Sequence, residues 1–119
     1  MQPDTTLNDE EVGLVSFEDL AYPAAARNAR IQGVVVIRVE LDGQGSAVSA
    51  SAISGSKSLI PDSVSNAKKW RFKPNSHNSA VIVYEFRLDE GACHDGSRSL
   101  FLLRHPNFAK ITACAPILE

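Results

Sequence analysis

Ser54-Gly55-Ser56-Lys57 has the S-x-x-K spacing in which a lysine amine draws the proton from a serine hydroxyl to make an acyl-transfer nucleophile. That chemistry needs the serine at the start of a helix in a much larger protein, with partner motifs that this chain lacks. The tetrapeptide therefore reads as a polar connector. His77, His94 and His105 all fall in predicted loops, and none has the i, i+4 partner of a helical zinc site. His94 lies between Cys93 and Asp95, the one local set with metal-ligand types, but too few for a site. Asp42-Gly43 reads as a turn, because the other positions of a calcium loop are not acidic. Cys93 and Cys114 form no C-x-x-C pair. On the residues alone they are either two buried thiols or one disulfide closing the C-terminal segment. No acid, base and nucleophile assemble, so the sequence predicts no enzyme, no metal and no cofactor.

The chain has 119 residues, 44% hydrophobic and 22% charged, which fits one globular domain. Its formal net charge of −2 lacks the basic excess that binding to nucleic acid requires. No apolar run reaches the roughly 18 residues that span a bilayer. The first residues are polar and acidic, without the apolar core of a signal peptide. The chain as written reads as soluble; a role outside the cytoplasm requires a leader or anchor beyond it.

The elements that position these residues follow from periodicity. Residues 1–16 read as a flexible tail, and residues 17–119 as the domain. Pro23 suits the first turn of a short helix, with Tyr22, Ala25, Ala26 and Ala29 on one face. Gly33 is expected to supply the left-handed exit. Residues 34–41 alternate as a strand: Val35, Ile37, Val39 and Leu41 face one way, Arg38 and Glu40 the other. Asp42-Gly43-Gln44-Gly45 turns the chain into a weaker strand over 47–53. A second helix starts at Ile60-Pro61 and ends near Lys68-Lys69, with Ile60, Val64 and Ala67 inward. Trp70 is expected to cover the sheet rather than to bind a partner, and the surrounding Lys68, Lys69, Arg71 and Lys73 to be solvated. In residues 80–88, Ala80, Ile82, Tyr84, Phe86 and Leu88 share one face, opposite Val81, Val83, Glu85 and Arg87. Residues 99–103 and 108–113 form a final hairpin within an extension over about 92–119. The two cysteines bracket that hairpin.

Tyr22-Pro23, Arg30-Ile31-Gln32-Gly33, Asp42-Gly43-Gln44-Gly45, Lys69-Trp70-Arg71-Phe72-Lys73-Pro74 and Tyr84-Glu85-Phe86-Arg87-Leu88 occur in an order and spacing that resembles the C-terminal domain of TonB proteins. The resemblance covers residues 17–88. It implies an α+β fold, a small antiparallel sheet of three family strands with two helices packed on one face; the C-terminal hairpin expected from the residues lies outside the family core and adds to it. It also implies a periplasmic binding domain, anchored in the inner membrane where an upstream transmembrane helix exists. Such a domain passes energy from an inner-membrane proton-motive-force complex to outer-membrane transporters. A short peptide of the transporter adds beside the last family strand, here Ala80 to Arg87, with the Tyr22-Pro23 corner as a second contact. Family members carry a Gln three residues before that corner; here it is Asp19, an acceptor-only carboxylate. The oxidising periplasm favours the Cys93–Cys114 disulfide.

Two further readings stay open. If the C-terminal hairpin pairs with the 80–88 strand, it occupies the edge the peptide would use, and binding needs displacement or a new outer edge. The domain is then either a transporter-binding module or a self-capped structural and assembly domain. Open edge strands also allow a homodimer.

Overall fold

The computed structural model describes residues 13–89, 99–104 and 107–114. Residues 1–12, Cys93, His94 and His105 lie outside the described residues, and with them most of the expected tail and one end of the expected disulfide.

The strands form where apolar and polar residues alternate. Strand β2 (Gly33–Leu41) buries Val35, Ile37, Val39 and Leu41 and exposes Arg38 and Glu40. It pairs antiparallel with β3 (Ala47–Ser54) on one side and with β5 (Ser79–Asp89) on the other. The β2–β3 turn is built on Asp42, whose Oδ1 accepts the backbone N–H groups of Gln44 at 2.8 Å and Ser46 at 3.0 Å. Gly45 turns with φ +85°. It also lies under β4 (Arg71–Phe72), so closely that a Cβ on it would stand 1.8 Å from the Phe72 carbonyl oxygen. β4 pairs with β1 (Leu14–Ser16), a strand in the stretch where the sequence predicted only tail. A three-residue strand carries too little periodicity to show in sequence, and β1 exists because β4 offers it partners.

Helix α1 (Ala24–Asn28) is a single turn and a half that buries Ala26, while Ala25 and Ala29 are exposed, contrary to the predicted four-residue face. It ends as soon as Arg30 enters the left-handed region at φ 59°. The Arg30 N–H then donates to Arg27 O, and the Ile31 N–H to Ala26 O, the pair of bonds that defines a Schellman cap. Arg30 rather than Gly33 makes the exit. Helix α2 (Ile60–Ala67) begins as predicted, with Pro61 in its first turn, and buries Ser63, Asn66 and Ala67.

The sheet order is β3-β2-β5-β7-β6, with β6 spanning Ser99–Arg104 and β7 spanning Phe108–Cys114. The α+β class and the final pair of strands are as expected, but the sheet is mixed. β6 and β7 are antiparallel, yet β7 runs parallel to β5, from Val83 opposite Phe108 to Asp89 opposite Cys114. β7 fills the slot beside β5, and β6, which precedes it in the chain, lies outside it. One core fills the inner face, joining Ala26, Leu59, Ala67 and Trp70 to β2, β5 and the Ala109, Ile111 and Ala113 side chains of β7. Among the described residues the outer face carries no helix, and Val34 and Val81 are exposed there. No helix among them is long and apolar enough to cross a membrane.

Candidate functional site

The β5 residues predicted to meet a partner sit inside the sheet. Ala80, Val81, Ile82, Val83, Tyr84, Glu85 and Phe86 all pair with β2, and Val83 through Arg87 also pair with β7. Ala80, Ile82, Tyr84 and Phe86 are core residues. The Val83 N–H donates to Asn107 O at 3.0 Å, so β7 covers the edge from Val83 onward. This corrects the expectation that β5 is an edge: among the described residues, only 79–82 lack a paired strand on the side away from β2. Sequence could place a hairpin after β5 but not decide which of its strands would lie against β5.

Among the described residues β6 is the outermost strand on this side, and it is built unlike an edge. Its run Leu100-Phe101-Leu102-Leu103 is apolar on both faces, the pattern of a strand covered above and below the sheet. Phe101 and Leu103 turn toward the core, but Leu100 is 65% exposed and Leu102 52%. Edge strands usually carry charges or prolines that discourage further pairing. β6 has only Arg104 at its end.

Beside β6 runs a groove of about 380 Å³, with Phe17, Asp19 and Leu20 on one wall and Ser99, Leu100, Phe101 and Leu103 on the other. Phe17 stacks on Phe101 at 5.7 Å between ring centroids, and leans on Trp70 at 5.8 Å. The wall is tied to β6 by the Tyr22 N–H, which donates to Ser99 Oγ at 3.0 Å. Of the corner predicted for contact, Asp19 lines the groove with an exposed side chain, and Pro23 caps α1. Tyr22 is instead a core residue: its ring meets Phe86 edge-on at 5.4 Å and its hydroxyl donates to Ile31 O. Burial raises the Tyr22 pKa against a smaller opposing pull from Arg87, so it remains a phenol.

Asn66 fixes the Asp19 wall, and sequence reasoning missed it. Its Nδ2 donates to Glu18 O at 3.0 Å and Asp19 O at 3.1 Å. Its Oδ1 accepts the Trp70 Nε1–H and the Tyr84 hydroxyl, each at 2.8 Å. Burial pushes the Tyr84 pKa well above its ordinary value, so the hydroxyl stays a donor. The one available signal was a lone amide four residues before a tryptophan, which puts both on one helical face.

The other chemistry-bearing side chains among the described residues do not converge. Ser54 ends β3 and Lys57 is exposed in the connector to α2. Among the described residues no three His, Cys, Asp or Glu side chains group as metal ligands. Trp70 and Phe72 are core, with Lys68, Lys69, Arg71 and Lys73 exposed around them. Cys114 is not a free thiol; its carbonyl accepts from Arg27 Nε at 2.6 Å, which fastens α1 to the end of β7.

No curated protein and no solved structure matches the chain. The family model of the Gram-negative bacterial TonB protein C-terminal matches residues 18–88, ending within β5 and leaving β6 and β7 outside the match. The chain belongs to this family of TonB C-terminal domains, periplasmic protein-interaction domains of energy-dependent transport.

Proposed function

We propose that this domain binds an extended peptide of an outer-membrane transporter by strand addition at β6, with the Asp19 groove receiving the side chains on its inner face. The observation that carries the reading is the exposed, two-sided apolar character of β6 at an outer edge, next to a groove lined by Asp19. Strand addition draws affinity from unpaired backbone groups and selectivity from pockets at alternate side chains, and β6 with its groove offers both. Within this reading the Ala80–Arg87 strand supports the site from inside the sheet. Energy reaches the domain through a segment N-terminal to it that engages an inner-membrane proton-motive-force complex. The open edge also admits a second copy of the chain, in competition with the peptide.

A periplasmic transporter peptide titrated into the isotopically labelled protein is expected to shift the amides of β6 and of residues 17–21. Shifts centred on residues 79–89, with loss of the β7 signals, would mean that β7 is displaced and β5 is used. No shift at all would favour the second reading, a self-capped structural and assembly domain, which the β7 cover on β5 supports.

We further infer that Cys93 is the disulfide partner of Cys114. Thiol titration of the denatured protein from an oxidising host should find no free thiol; two free thiols would overturn the bridge.

A further inference from the structure

We propose that the groove selects extended segments with a lysine or arginine at a groove-facing position and apolar side chains at the groove-facing positions beside it. This rests on strand addition at β6 and adds the chemistry of the ligand. A strand laid along β6 sends every second side chain to the groove side. There the floor is apolar, formed by Phe101, Leu103 and Leu20, with Phe17 still 42% exposed.

The acid in the groove lining is Asp19, with Glu18 next to it in the chain. Glu18 and Asp19 are both exposed, and neither has an ion-pair partner among the described residues. Their backbone carbonyls are both held by the Asn66 amide, so the chain at this point is fixed before any ligand arrives. With the backbone anchored, only the Asp19 side chain has freedom left to lose on pairing, which lowers the cost of binding. A basic side chain suits the remaining geometry as well as the charge. Its methylene stem can lie along the stacked Phe17 and Phe101 rings while its head reaches Asp19. An acidic residue at the same position meets the like charge of Asp19, so the groove discriminates by repulsion as well as attraction.

The test uses three synthetic peptides of alternating valine and threonine that differ at one central groove-facing position, Lys, Gln or Glu, with affinity read by fluorescence anisotropy on the full chain. The Lys peptide is expected to bind about tenfold more tightly than the Glu peptide, with Gln between them, a difference that shrinks as salt is raised. Asp19→Lys should reverse the order, and Asp19→Asn should remove most of it; the side chain is exposed, so both variants should fold, as circular dichroism will check. Equal affinities for all three peptides would overturn the charge selection and leave strand addition standing. No binding by any of them, with no shift of the β6 amides, would overturn strand addition itself and this inference with it.

Discussion

Removing the Asn66 amide leaves four groups without a partner at once: the Tyr84 hydroxyl, the Trp70 indole N–H, and the Glu18 and Asp19 carbonyls. Two of these lie in the core, where an unmet donor costs about 1–3 kcal/mol. Asn66→Ala is therefore expected to lower unfolding stability by about 2–4 kcal/mol in urea titration, with Tyr84→Phe in the same background costing less than it does in the wild type. A loss under 1 kcal/mol would mean that the network is not formed. Gly45 is constrained in another way, by the absence of a side chain. Its φ of +85° and the 1.8 Å approach of the Phe72 carbonyl oxygen to any added Cβ leave no low-energy place for alanine. Gly45→Ala should cost about 2 kcal/mol or more, read as a fall in the urea midpoint, because β4 must move off the turn.

At the scale of the element, the β2–β3 turn carries a pH dependence of known sign. The backbone N–H groups of Ser46 and then Gln44 hold the Asp42 carboxyl below its ordinary range, and the nearby Arg71 charge adds to them. Because the folded pKa lies below the unfolded one, this contribution is present above about pH 4 and disappears as pH falls through the folded value. Wild type and Asp42→Asn should therefore differ in stability at neutral pH and converge on acidification, and thermal melts between pH 7 and pH 2 will show it. A gap that stays constant would remove the carboxylate from the account. The same turn was legible in sequence, because Asp-Gly between alternating strands has a local cause. So were β2, β5 and α2, whose periodicity and Pro61 act within a few residues. The parallel register of β5 and β7 was not, since it depends on which of two strands the chain returns to the slot, a choice made between distant elements. Local pattern even argued the other way: β6, apolar on both faces, reads as the inner strand, and β7, with Lys110 and Thr112 alternating against Ile111 and Ala113, as the outer one. The candidate site was half visible for the same reason. Asp19 could be placed by resemblance, whereas its opposite wall, Phe101 and Leu103, lies beyond the family match.

For the whole molecule the consequence of that inversion is an apolar strand at the rim of a five-stranded sheet. Such an edge pairs with any extended chain at hand unless something blocks it. In solution that chain is another copy of the protein, and sedimentation should show an average mass that rises with concentration. Leu100→Lys with Leu102→Lys places two charges on the open strand at positions already more than half exposed. Folding stability should change by no more than about 0.5 kcal/mol per substitution, because neither side chain is part of the core. Self-association should nevertheless disappear, since the charges oppose a strand laid beside β6; of the groove lining only Leu100 is changed, and Asp19, Phe101 and Leu103 stay. Addition of a bound peptide to the wild type should return it to monomers as well, because peptide and second copy compete for one edge. If the wild type instead remains monomeric at every concentration and the double substitution leaves peptide affinity unchanged, the β6 edge is closed in solution. The self-capped reading would then describe the molecule better than strand addition does.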